Sequence, residues 1–246
     1  MKRALDIAVS GASLLLLSPL IAVLSIAIYL QDYHNPFYVA TRTGRGERPF
    51  RMVKFRSMVR GADLTGVDST AGDDSRITPL GAFVRRFKLD ELPQLWNVLL
   101  GKMSLVGPRP NVERETRLYT PHERRLLGVR PGITDLASIV FADEGEILRG
   151  SEDPDLRYNQ IIRPWKSRLG LVYVDGPRSV ALDLQILWLT IVAAIDRNRG
   201  LAGVGLVAAA LGAEEELLRV IPRTAPLPTA PPPGADEIVI SRAIVA

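Results

Sequence analysis

Twenty-four residues without a charge, Ile7 to Leu30, follow Lys2 and Arg3 almost at the start of the chain. As a helix such a run would be about 36 Å long, enough to cross a hydrocarbon core of about 30 Å. Ser18-Pro19 interrupts it near its middle. An interior proline removes a backbone hydrogen bond and crowds the preceding turn, so the pattern predicts a sharp kink or break there, with each half reaching only part-way through a bilayer. Both flanks are basic: beyond Leu30 come Arg42, Arg45, Arg48, Arg51, Lys54, Arg56 and Arg60 against only Asp32 and Glu47. Positive flanks stay on the cytoplasmic side, so this charge distribution predicts a re-entrant helix-break-helix that enters and leaves on one face. A plain kinked transmembrane helix is the rival. A signal peptide fits less well, because the run is too long and no small-x-small site closes it.

Two short alternating runs, Phe37 to Thr41 and Phe50 to Phe55, flank a Gly44/Gly46 turn and predict a β-hairpin. Lys54 and Arg56 share a face of its second strand. Cations at that spacing suit a diphosphate, a lipid headgroup layer or plain solvation. Gly61 to Gly72 is polar and rich in Asp, Thr and Gly, which predicts a mobile loop able to act as a lid. A helix is expected over Ala82 to Lys88, carrying Arg85 and Arg86 toward the segment that follows. Arg85 there can hold a phosphate or pair with a neighbouring carboxylate.

Leu89 to Pro110 concentrates the chemistry. Asp90 and Glu91 come just before Pro93, a residue tolerated in a first helical turn, so both carboxylates are expected at a helix N-terminus where the macrodipole favours their ionised form. Leu92, Leu95, Trp96, Leu99 and Leu100 supply an apolar stripe, Gly101 ends the helix, and Gly107-Pro108-Arg109-Pro110 is a stiff turn. Taken alone, an Asp-Glu pair in a first helical turn is most often capping and dipole compensation.

The 246 residues carry 31 Lys and Arg against 27 Asp and Glu, a net charge of +4. That mild excess does not choose among nucleic acid, anionic lipid and phosphorylated substrates. With no cysteine, and with His34 and His122 as the two histidines, disulfides, thiolate catalysis and Cys- or His-rich metal sites are excluded, and any metal should be oxygen-liganded. Asp183 to Ile195 is a mostly apolar helix too short to span, expected in the membrane interface with Trp188 at headgroup level or else in the core. Leu201 to Leu218 predicts a small-residue helix. Arg219 to Gly234, with six prolines, fits a disordered or polyproline tail, and the apolar end Ile238 to Ala246 has no assigned role.

The order Arg42-Thr43-Gly44-Arg45-Gly46, Lys54-Phe55-Arg56-Ser57-Met58, Arg76-Ile77-Thr78, Leu89-Asp90-Glu91-Leu92-Pro93-Gln94-Leu95, Asn97-Val98, Met103-Ser104-Leu105-Val106-Gly107-Pro108-Arg109-Pro110 and Pro131-Gly132-Ile133-Thr134 resembles the bacterial sugar transferase family. These are monotopic polyprenyl-phosphate phosphoglycosyl transferases, and the likeness, to the small form with the catalytic domain only, runs from about Lys2 to about Ile195. Ser18-Pro19 matches the family's membrane-helix break.

The resemblance implies transfer of a sugar-1-phosphate from a UDP-sugar to a polyprenyl phosphate, undecaprenyl phosphate above all, with release of UMP, as the first membrane step of glycan assembly. It implies Asp90 as nucleophile forming a covalent aspartyl-phosphosugar, Glu91 as the ligand of Mg²⁺, and Lys54, Arg56, Arg85 and Arg109 as substrate-binding cations. The expected setting is the bacterial inner membrane with the catalytic domain facing the cytoplasm. Expected partners are UDP-sugar, polyprenyl phosphate and membrane lipids, without nucleic acid, and with a homodimer left open. One departure stands out: the family continues Pro-Gly-Ile-Thr with glycine, and here Asp135 follows.

The expected fold is mostly α with a small β-hairpin, an α+β class. It divides into a membrane hairpin over 1–32, a catalytic domain with interfacial helices over 33–200, and an extension over 201–246. A non-catalytic scaffold or regulator that keeps the fold is the alternative, and the intact set of carboxylates and arginines speaks against it. A glycosyltransferase releasing UDP would need a larger nucleotide-binding fold of alternating strands and helices, a pattern missing from this sequence.

Overall fold

The computed structural model describes residues 1–67 and 69–241, leaving aside the side chain of Thr65. It begins with α1, Lys2–Asp32, which is helical throughout. The helix runs through Ser18-Pro19, where a sharp kink or break was expected, without a gap in its helical assignment. Pro19 has no N–H to give the Leu15 carbonyl four residues back, and the Ser18 hydroxyl donates to that same carbonyl at 2.8 Å. Among the described residues α1 is the one helix long and apolar enough to cross a membrane. Leu15, Leu16, Val23 and Ile26 in its central part are exposed.

Both ends of α1 are fastened to the rest of the protein. At the start Lys2 donates to Asp183 at 2.6 Å, Arg3 donates to the Val98 and Leu99 carbonyls at 2.5 and 2.7 Å, and the buried Asp6 accepts from Ser104 Oγ and Leu105 N at 3.0 Å each. At the far end Arg56 grips Asp32 at 2.5 and 2.6 Å, and Leu24 and Ile28 pack with Phe55 and Val84.

The predicted hairpin is present as β1, Phe37–Thr43, and β2, Pro49–Phe55, antiparallel in the register Phe37↔Phe55 to Thr43↔Pro49. Gly46 between them has φ 65°, in the left-handed region that glycine enters freely. The segment expected as a mobile lid is docked where it is described: the Ser69 N–H donates to Asp155 at 2.6 Å and the Gly72 N–H to the Gly145 carbonyl at 2.8 Å. Asp68 of that segment lies outside the described residues.

Helix α2 covers Pro79–Arg86, starting before the expected Ala82 because Thr78 caps it, accepting from the Gly81 N–H at 3.0 Å, with Pro79 in the first turn. A 3-10 turn, Leu89–Glu91, leads to α3, Gln94–Leu99. Strand β3, Ser104–Val106, then runs parallel to β4, Gly132–Thr134, across an excursion that includes the short α4, Glu113–Thr116. A side chain on Gly132 would begin 2.2 Å from the Gly107 nitrogen, so only glycine lets these two segments touch.

The rest is helical: α5 Leu136–Val140, α6 Glu144–Leu148, α7 Pro154–Ile161, α8 Arg163–Asp175, α9 Val180–Ile195, α10 Arg197–Ala210 and α11 Glu215–Val220. Trp165, Leu169, Leu136 and Ile186 join Val98 and Met103 in one apolar core. Helix α9 turns Leu182, Ile186 and Leu189 inward and leaves Leu184, Trp188, Ile191 and Ile195 exposed. Leu201, Val204, Val207, Leu217 and Ile221 belong to the same core.

The proline-rich stretch expected as a disordered or polyproline tail is docked across α7 and α8. Trp165 Nε1 donates to the Pro228 carbonyl at 2.9 Å, Arg168 to the Pro231 carbonyl at 3.0 Å, and the Ala230 N–H to the Gln160 carbonyl at 3.1 Å. Prolines lack N–H groups but keep their carbonyls, and their fixed φ makes an extended segment cheaper to order.

Candidate active site

Between α2 and α3 the chain reverses at Lys88, which takes a left-handed conformation with φ 56°. Asp90 and Glu91 follow in their own 3-10 turn and not in the first turn of α3 as expected. Asp90 is 7% exposed, and its Oδ1 has no hydrogen-bond partner among the described residues. Burial, reinforced by the Glu91 carboxylate, pushes its pKa up, and Lys54, Arg85 and Lys88 offset this only in part. The expected dipole stabilisation of the ionised form is outweighed.

Glu91 is in the opposite state. Arg109 donates to both its oxygens at 2.6 Å each, and to the Ile133 carbonyl at 2.6 Å. Burial alone would raise the Glu91 pKa, but Arg109 and Lys54 hold it at about 2. Adjacent carboxylates thus divide into one that is clamped and one with an open oxygen. Lys54 reaches this pair from β2: burial draws its ammonium down to about 8, against the opposing pull of Glu91. Arg85 leans on the Ser57 hydroxyl at 3.4 Å.

The structure therefore brings together Asp90, Glu91, Lys54, Arg85 and Arg109 of the residues expected from sequence. Arg56 is committed elsewhere, to Asp32 at the end of α1, with its side chain 10% exposed. Ser18 and Pro19 stay within α1, remote in sequence from this cluster. Lys88 was missed, although its place two residues before Asp90 and its run with Arg85 and Arg86 could have marked it.

Asp135, which follows Thr134 of β4, caps α5 by accepting from Ser138 N and Oγ at 2.6 and 2.5 Å. Burial pushes its pKa up, against the pull of Ser138, Lys166 and Arg109. The Asp135 carboxylate gives the loop a helix cap where glycine would offer only freedom.

No group of three or more His, Cys, Asp or Glu is placed to share a metal ion among the described residues. Two adjacent carboxylates suit a Mg²⁺ ion that keeps several waters and takes its remaining ligands from substrate phosphates, and each Glu91 oxygen retains a lone pair beyond its bond to Arg109. Chemically, the cluster can draw in a polyanion with its cations and present Asp90 Oδ1 to it.

Residues 1–197 match the bacterial sugar transferase family. The chain is 36% identical over 210 residues to the exopolysaccharide production protein PSS of Rhizobium leguminosarum bv. phaseoli, covering 81% of this chain and 98% of that protein. It is 37% identical over 203 residues to the undecaprenyl-phosphate glucose phosphotransferase of Komagataeibacter xylinus, covering 77% of this chain but only 35% of that one. With the UDP-glucose:undecaprenyl-phosphate glucose-1-phosphate transferase of Caulobacter vibrioides it shares 34% identity over 189 residues, 74% of this chain and 70% of that one.

Proposed function

The chain belongs to the bacterial sugar transferase family, and on that premise we propose that it moves a sugar-1-phosphate from a UDP-sugar to a polyprenyl phosphate, undecaprenyl phosphate above all, and releases UMP. The observation that carries this reading is the division of labour between Asp90, with its unpartnered buried oxygen, and Glu91, locked to Arg109.

In this reading Asp90 attacks the phosphorus that bears the sugar. The new bond joins an Asp90 oxygen to that phosphorus as the bond to the UMP oxygen breaks. An oxygen of the lipid phosphate then attacks the same phosphorus and frees Asp90. Lys54, Arg85, Lys88 and Arg109 hold the phosphates against the repulsion of the two carboxylates and stabilise the charge on departing UMP. Glu91 would hold Mg²⁺, which when bound supplies further charge neutralisation at the diphosphate.

The membrane arrangement follows from α1. Its two ends are bonded to the same body while its central apolar residues are exposed, which supports a re-entrant course with both ends on one side. The basic flanks support a cytoplasmic position for that side, at a bacterial inner membrane. Leu184, Trp188 and Ile191 on the outer side of α9 would rest in the lipid interface.

The test is detergent-solubilised protein with Mg²⁺, polyprenyl phosphate and a panel of UDP-sugars, with UMP and UDP quantified separately. The proposal expects UMP, absent from Asp90→Asn, and a sugar-phosphate adduct on the protein. UDP release would indicate plain sugar transfer, and no nucleotide from any donor would favour the scaffold.

A further inference from the structure

The proline-rich segment, residues 224–234, lies beyond the family-matched residues 1–197, and no step of the proposed reaction uses it. It is nevertheless held along its length. Besides its bonds to Trp165, Arg168 and Gln160, the Arg168 guanidinium sits 4.9 Å over the Trp165 ring, Ala230 is 4% exposed, and Trp165 is fully buried. Proline carbonyls meeting an indole N–H and a guanidinium on an aromatic surface are the contacts by which extended proline-rich ligands are recognised.

The far end of the segment leaves α8 for a different element. The Thr120 hydroxyl donates to the Pro233 carbonyl at 2.5 Å, and Gly234, with φ 80°, lies so close to His122 that a side chain there would begin 2.3 Å from its Nδ1. The same hydroxyl accepts from the Glu123 N–H at 3.1 Å, at the start of the 3-10 segment Glu123–Gly128. Leu126 and Leu127 of that segment, with Tyr119 just before it, line a crevice of about 20 Å³ against Pro108, Arg109 and Pro110. That is room for about one water, so a small displacement of the 3-10 segment reshapes the surroundings of Arg109.

We propose that residues 224–234 are a clamp on the active site: by bridging α7 and α8 to the 3-10 segment they fix the wall that faces Arg109, and so sustain affinity for the UDP-sugar. This rests on the reading of Arg109 as a holder of donor phosphate. The segment touches no substrate and acts through Thr120, His122 and the two leucines that follow.

Trp165 reports on the clamp, and replacing the other two tryptophans, Trp96 and Trp188, by phenylalanine leaves it as the single indole of the full chain. In that background Ala230→Glu puts a charge into a buried place and should lift the middle of the segment, opening Trp165 to acrylamide quenching. Gly234→Val meets both His122 and a left-handed φ, and should lift the far end off Thr120. Each should raise the KM for UDP-sugar by about 10-fold at a kcat within a factor of two of the parent, the pattern of lost binding. Trp165 opened by Ala230→Glu at an unchanged KM overturns the clamp, as does a kcat that falls with the melting temperature while KM holds, since the segment is then inert or purely structural; UMP release by the parent leaves the transferase reading intact in both cases. Absence of UMP release from the wild type overturns that reading and the clamp together.

Discussion

Arg109 meets Glu91 through two parallel hydrogen bonds of 2.6 Å and turns a third of the same length on the Ile133 carbonyl. One guanidinium thereby ties the carboxylate turn to the middle of β4 while the neighbouring Asp90 keeps an unpartnered oxygen. Lysine keeps the charge at this place but not the fork. Arg109→Lys should therefore lower the rate of adduct formation by about 10²-fold, the usual consequence of losing a placed donor. Quenched-flow measurement on matched preparations checks this, and a rate within a factor of two of wild type would show the fork to be dispensable.

Glu91→Gln removes the charge that suits Mg²⁺ while preserving shape. Its activity should require a higher Mg²⁺ concentration, and chelation should abolish UMP release by the wild type. Superimposable Mg²⁺ titrations for the two proteins would take Glu91 out of the metal's coordination.

Lys54 titrates near 8 because burial disfavours its ammonium. It is charged below that value and neutral above, so binding of the diphosphate should weaken as pH rises through about 8. Lys54→Arg stays charged and should move the descending limb of the pH profile upward. A limb that does not move identifies some other group as its source.

Arg163 and Glu123 form an ion pair in the core, with side chains 3% and 0% exposed. Arg163→Met leaves the buried carboxylate without its cation, held only by Ser167 and Thr120, and should cost about 3–5 kcal/mol, lowering the thermal midpoint by about 10 °C. Adding Glu123→Gln should restore part of the loss. Equal melting of all three proteins would mean that the pair contributes nothing beyond what neutral residues provide.

The chain has no cysteine, which makes labelling of introduced ones unambiguous. Cysteines at Ala4 and Gln31, both exposed, should react with a membrane-impermeant maleimide from the same side of oriented vesicles. Labelling from opposite sides would establish a spanning helix.

Local patterns were legible wherever the governing interaction lay within a few residues. The hairpin followed from alternation across Phe37 to Thr41 and Phe50 to Phe55, and α2, α3 and α9 from proline placement and apolar spacing, whereas Leu201 to Leu218, expected as one helix, is divided between α10 and α11 and the helices from α4 to α8 were not expected. Asp90, Glu91, Lys54, Arg85 and Arg109, expected together from their charges, are clustered in the structure. What escaped depended on distant partners. Nothing near Arg56 announces that Asp32 will occupy it, and nothing in Pro228 announces Trp165. The direction of the Asp90 shift was set by tertiary burial, which overrode the dipole visible in the local pattern.

A membrane helix usually meets a bilayer of the wrong thickness by changing its tilt. Helix α1 is pinned by Lys2 and Arg3 at one end and by Asp32 at the other, and so has lost that freedom. On the proposed re-entrant course, thicker or thinner lipid would deform around the protein, and the height of Asp90 above the acyl chains would be a property of the polypeptide that lipid composition could not retune.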